Sequence, residues 1–319
     1  MAGRHVVKSY RSARMPLTAI FMALVFMALG APAGAQTGMS SAEALADQQR
    51  VAETMDMGVL KRQAEAGDVA SQLRLADDYF VGNGIGQDYT QALHWYQKAA
   101  EQGSAEAQTE LGVAYYKGYG VAVDYDKAIY WVRKAADQGY VGAQYYMGLA
   151  YDNGFGVKAD LTQAFGWYKK AAEQGYDIAQ FNVATLYEAG DGVAQNYDLA
   201  VMWYGKAAAQ GHAPSKYNLG NLYLTGTGVK ADRSRGLALI REAAGAGFAL
   251  AQSRLAGLYY EGDILPRDPV KAYGWALLAA NGGDRVAADL LASMDSQHVL
   301  DEAGVRQATE LANSYALRQ

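Results

Sequence analysis

Apolar positions along this chain keep a helical period. Ala107, Leu111 and Tyr115 step by four and share one face, and Gly112 beside Leu111 admits a neighbouring helix closely. Gly118 and Gly120 end that helix and allow left-handed backbone in the loop that follows. Asp124 then reads as the N-cap of a second helix that buries Ala128, Trp131 and Ala135. Lys134 lies in its last turn, facing the negative end of the helix dipole, and Gly139 is the C-cap that restarts the cycle. The pattern predicts helix, glycine-rich loop, helix, turn.

That unit recurs with a period of 36 and no insertions, giving six repeats at 67–102, 103–138, 139–174, 175–210, 211–246 and 247–282. Tyrosine fills one column (Tyr79, Tyr115, Tyr151, Tyr187, Tyr223, Tyr259), and all five tryptophans fall in another. These are Trp95, Trp131, Trp167, Trp203 and Trp275, with Leu239 in the fifth repeat's place. Asp or Asn holds every second-helix N-cap (Asp88, Asp124, Asp160, Asn196, Asp232, Asp268), and paired alanines close each unit. Neither helix buries its apolar face alone, so the units must stack. The expected fold is all-α, a right-handed α/α superhelical solenoid with helical caps. Ser40-x-x-Glu43 opens an N-terminal capping helix within 36–66, and 283–319 supplies C-terminal capping helices. The fifth repeat also carries Gly236 and Glu242, with Gly245 and Gly247 nearby, which predicts the least tightly packed joint.

The repeat pattern A-Q-x-x-L-G-x-x-Y-x-x-G-x-G-V, then D-x-x-x-A-x-x-W-x-x-K-A-A-x-Q-G, resembles the Sel-one-like repeat family, relatives of tetratricopeptide repeats. In the second repeat it reads Ala107-Gln108, Leu111-Gly112, Tyr115, Gly118, Gly120-Val121, Asp124, Ala128, Trp131 and Lys134-Ala135-Ala136. The resemblance covers 67–282 and implies a scaffold for protein–protein contact rather than a particular chemistry.

Residues 1–35 differ in kind. Arg4, Lys8, Arg11 and Arg14 precede the apolar run Leu17–Leu29, and Ala33-Gly34-Ala35 follows, the three parts of a secretory signal peptide. An uncleaved anchor is the alternative; with cleavage no stable membrane span remains. The expected location is exported, in a bacterial periplasm or secreted. Four of the 28 basic residues lie in this segment, leaving 24 against 33 acidic ones, a net −9 that is unsuited to nucleic acid. With no cysteine there is neither disulfide nor nucleophilic thiol.

Little else in the chain carries chemistry. His94, His212 and His298 are isolated and read as surface residues, and the loop glycines follow helices rather than strands, so they are turns and not phosphate loops. The lysine column (Lys98, Lys134, Lys170, Lys206) reads as dipole and solubility chemistry. No catalytic residue, metal site or cofactor is expected, and the protein reads as a non-enzyme. What remains is the first-helix face opposite the repeat core, expected to be concave. Tyr116, Tyr145, Phe181, Asn182, Tyr217, Asn218 and Asn221 form an aromatic strip with amide neighbours there. Two roles stay open for the rings: anchors for a peptide or helix of a protein partner, or packing between neighbouring first helices. A peptidoglycan or polysaccharide ligand, stacking on the rings, is the alternative partner.

Overall fold

The computed structural model describes residues 57–316; the signal segment and most of the N-terminal cap lie outside them. Among the described residues all regular structure is helical. Helix α1 (57–65) precedes the repeats. The first helices of the six repeats are α2 (Val69–Val81), α4 (Ala105–Lys117), α6 (Val141–Asn153), α8 (Asp177–Ala189), α10 (Ala213–Thr225) and α12 (Ala249–Glu261). The second helices are α3 (Tyr89–Glu101), α5 (Tyr125–Asp137), α7 (Leu161–Glu173), α9 (Tyr197–Ala209), α11 (Arg233–Gly245) and α13 (Pro269–Asn281). Two more follow, α14 (Arg285–Ser296) and α15 (Glu302–Ala316).

The chain divides into two compact units, one reaching Ala143 and including Phe155–Val157, the other holding Gln144–Gly154 and the chain from Lys158. In the first unit α2 to α5, and in the second α7 to α14, pack in chain order, each helix on its neighbours in sequence, the arrangement of an α/α repeat stack. In the second unit α15 also packs along α13.

Local chemistry accounts for the boundaries. The Asp124 carboxylate accepts the Lys127 backbone N–H (3.0 Å), and Asp88, Asp160, Asn196, Asp232 and Asp268 cap their helices in the same way. Gly118 ends α4 at φ 77°, where a side chain would be strained, and Gly120 lies so close to the Tyr89 carbonyl that a Cβ would collide with it. Close helix approach within a repeat also depends on glycine. A methyl on Gly220 would meet Ile240 Cγ1 at 2.8 Å and the Gly236 carbonyl at 2.9 Å, so α10 and α11 of the fifth repeat are in tight contact despite its departures.

Two columns have structural roles that sequence reasoning did not assign. The first is glutamine. Gln108, only 4% exposed, donates from Nε2 to the Ala100 carbonyl (3.0 Å) at the end of the preceding repeat, and its Oε1 accepts from Gln138 Nε2 (2.8 Å) at the end of its own. The pair recurs as Gln72–Gln102, Gln144–Gln174 and Gln180–Gln210. Carbonyls in the last turn of a helix have no intrahelical partner, and Gln72, Gln108 and Gln180 satisfy those of Ala64, Ala100 and Ala172 while fixing each helix to the one before it. The second is lysine. Rather than serving only solubility, Lys98, Lys134, Lys170 and Lys206 lie over the indoles of Trp95, Trp131, Trp167 and Trp203, at 4.6, 5.1, 3.9 and 4.0 Å from the ring centroids. In the sixth repeat Leu278 replaces lysine, and Trp275 stacks instead on Tyr315 of α15, with centroids 4.3 Å apart.

The fifth repeat exchanges several partners together. Leu239 replaces tryptophan, Glu242 replaces lysine and Lys216 replaces glutamine, and Lys216 Nζ meets Glu242 Oε2 at 2.7 Å. Trp167→Ala should cost about 3–5 kcal/mol through lost burial and a cavity, whereas Lys170→Ala should cost about 0.5–1 kcal/mol. Chemical denaturation followed by circular dichroism measures both.

Candidate functional site

The first-helix face is built differently in the two units. In the first, Tyr116 at the end of α4 packs against Tyr125 (5.7 Å) and Phe155 (5.2 Å), a three-ring contact repeated from Phe80, Tyr89 and Tyr119. These rings join loops to helices. The open part of this face is acidic. The Tyr96 hydroxyl donates to Asp77 (2.6 Å), and the charges of Glu106 and Glu110 on α4 act on the same region. Burial, with Asp77 and Glu106 adding repulsion, pushes the Glu110 carboxyl up to about 7. Asp77 is accessible to water yet surrounded by protein, and that surround raises its carboxyl to about 6 even though Tyr96 favours the charged form.

In the second unit the aromatics of the predicted strip sit against neighbouring rings. Tyr145 lies against Tyr168 (5.8 Å) and Tyr176 (5.2 Å), Phe181 against Tyr204 (5.8 Å) and His212 (5.1 Å), and Tyr217 against Phe248 (5.7 Å). These contacts hold the rings against the second helix of their own repeat or the residue that opens the next one. Tyr217 is buried, whereas Tyr145 and Phe181 keep part of their surface open. His212 is not a surface histidine: it is half-buried at the N-cap of α10, where Nδ1 accepts the Ser215 backbone N–H (3.3 Å), and burial lowers its pKa.

Polar groups run alongside the rings. The Tyr204 hydroxyl donates to Glu188 (2.7 Å) and accepts from Asn218 Nδ2 (2.9 Å), while Asn221 Nδ2 donates to the Tyr217 carbonyl (3.1 Å). Burial raises the Glu188 pKa, against the stabilising donation from Tyr204. Asn182 is half-buried, and its side-chain amide makes no hydrogen bond among the described residues. The sequence reading found Phe181, Asn182, Asn218 and Asn221 but passed over Tyr204, which joins Glu188 to Asn218. The available signal was the tyrosine that follows tryptophan in three repeats (Tyr96, Tyr168, Tyr204). Among the described residues no group of three His, Asp or Glu is placed to hold a metal ion, and no helix is long and apolar enough to cross a membrane.

The acidic region makes stability depend on pH in a defined direction. Glu110 titrates near 7 when folded, above its ordinary 4.5, so its neutral form favours the fold most below about 4.5. That contribution is lost as pH rises through about 7. Glu110→Gln should therefore raise the melting temperature at pH 8 and change it little at pH 4, as thermal melts at both values will show.

Comparison with known proteins agrees with this architecture. The Sel1 repeat model matches six consecutive segments, 69–104, 105–140, 141–176, 177–212, 213–248 and 249–284. Among solved structures, a protective antigen of uropathogenic Escherichia coli strains displaying an SLR fold, c5321, is 35% identical with a TM-score of 0.70. The match covers 83% of this chain and 56% of that protein, so the chain spans little more than half its length. A Sel1 repeat protein from Oxalobacter formigenes is 33% identical with a TM-score of 0.64, over 68% of this chain and 89% of the other. A comparison with curated proteins gives no match. With six repeats matched and the helix–loop–helix stack in place, the chain belongs to the Sel1 repeat family, whose members generally act as protein-interaction scaffolds.

Proposed function

We propose that this protein is a non-enzymatic, exported scaffold that holds an extended segment or a helix of a protein partner on the first-helix face of its second unit. The observation that carries this reading is the partly open ring of Phe181, held 5.8 Å from Tyr204, whose hydroxyl links Glu188 to Asn218, with the half-buried Asn182 amide following Phe181 on α8. Rings already held by packing lose little freedom on binding, so an edge such as Phe181 suits a partner's apolar side chains. Amide and carboxylate neighbours set the register of its backbone. Export is supported by the basic, apolar and small-residue order of residues 1–35.

The mature protein should recover its partner from an envelope extract. Asn182→Arg should lose that partner, whereas Met202→Arg, at an exposed second-helix position, should retain it. Equal recovery by both variants would remove the first-helix face from the mechanism. Recovery of peptidoglycan fragments in place of protein would turn the reading to a glycan ligand. Deleting residues 1–35 should leave the chain in the cytoplasmic fraction.

A further inference from the structure

The fifth repeat leaves an opening on the side that faces the sixth. A cavity of about 290 Å³ is lined by Arg241 and Gly245 of α11, Leu255 and Tyr259 of α12, Trp275 of α13 and Tyr315 of α15. One departure of this repeat, Gly245, lines it. The first four repeats carry Glu101, Asp137, Glu173 and Ala209 in the column of Gly245, and all four have the tryptophan and lysine that Leu239 and Glu242 replace. Gly245 has open space where a side chain would begin, with nothing within 4 Å of an added Cβ. Three aromatic rings and the buried Leu255 form the walls, and Trp275 is held flat against Tyr315. The volume lies at the lower edge of the range for ligand cavities, enough for one large side chain and not an extended ligand.

Arg241 gives the cavity a charge preference. Its guanidinium is exposed beside the aromatic walls and makes no ion pair among the described residues, while nearby Glu242 is engaged by Lys216. A guanidinium pairs with a carboxylate through two parallel hydrogen bonds, and aromatic walls favour a ring in offset or edge contact. We infer that this cavity captures the C-terminal residue of a protein partner, an aromatic side chain entering between Tyr259 and Trp275 with its α-carboxylate on Arg241. The assignment does not rest on the Phe181–Asn182 region and uses Arg241, Tyr259 and Trp275 of the three successive helices α11, α12 and α13.

Calorimetric titration of the purified protein with the tetrapeptide Gly-Gly-Ser-Phe, as free acid and as C-terminal amide, tests this. The acid should bind and the amide should be weaker by about tenfold or more, since the charge-assisted pair is lost. Arg241→Gln should bring the acid down to the affinity of the amide. Gly245→Leu, whose added carbon meets no atom, should abolish binding while the helical melt stays cooperative. Equal affinity for acid and amide, no binding of either, or full binding by Gly245→Leu would overturn the assignment. Binding of free N-acetylphenylalanine as tight as that of the peptide would make the ligand a small aromatic acid and not a chain end. Tighter peptide binding after deletion of residues 317–319 would make the protein's own terminus the occupant.

Discussion

A buried amide with nowhere to go except one carbonyl and one neighbouring amide sets the spacing of this protein. Gln108, Gln180 and Gln252 each place an Nε2 donor on a carbonyl in the closing alanine pair of the preceding repeat, at 3.0, 3.2 and 3.1 Å, and Gln72 places one on the Ala64 carbonyl of α1 at 2.9 Å. Leaving such a group without a partner inside a helix stack costs about 1–3 kcal/mol, more than a single apolar contact returns. Hydrophobic burial drives helices together without direction, and a shifted register could bury comparable area. It could not satisfy these amides. The constancy of the 36-residue period through six repeats therefore has a polar cause as well as an apolar one.

The fifth repeat shows the same constraint by substitution. Where glutamine gives way to Lys216, the neutral relay is replaced by an ion pair with Glu242, which occupies the place that in four other repeats covers an indole with lysine. With Leu239 there is no indole to cover. The expectation of a loose joint holds on one side only. Gly220 and Gly236 keep α10 and α11 in close contact, while the space opens towards α12, α13 and α15. Closing the repeats at the C-terminal end follows a related logic, since Tyr315 stacks on the one tryptophan whose repeat lacks the lysine.

What was readable beforehand follows from how local the cause is. Caps such as Asp124 and turns such as Gly118 depend on a few adjacent residues and are legible in one repeat, and the Trp and Ala columns emerge once six copies are aligned. The glutamine was visible as a column but its partners were not, because Gln108 and Gln138 are thirty residues apart and meet only after stacking. Lys170 was read through the helix dipole because its partner, Trp167 one turn earlier, lies on a face judged to be wholly interior; the lysine lies over the ring, 3.9 Å from its centroid. At the candidate site the composition of the strip was legible and its availability was not. Phe181, Asn182 and Asn218 were identified, but whether a ring is an anchor or a spacer depends on His212 and Phe248, which begin the next repeat.

Function in this architecture belongs to what the stack does not consume. Rings and carboxylates on the first helices are already partly engaged, by Tyr204 on Glu188 and by Tyr96 on Asp77, so binding there draws on prearranged groups. That prearrangement requires the repeats to hold their register, and the register is attributed here to the glutamine relay. A double-mutant cycle on Gln108→Ala and Gln138→Ala, read as unfolding free energy, isolates it. A coupling of about 1 kcal/mol is expected between the two positions, because Gln138→Ala leaves the Oε1 of the buried Gln108 without its donor, and that cost disappears once Gln108 is already alanine. Additive effects within error would contradict it and leave register to hydrophobic packing alone.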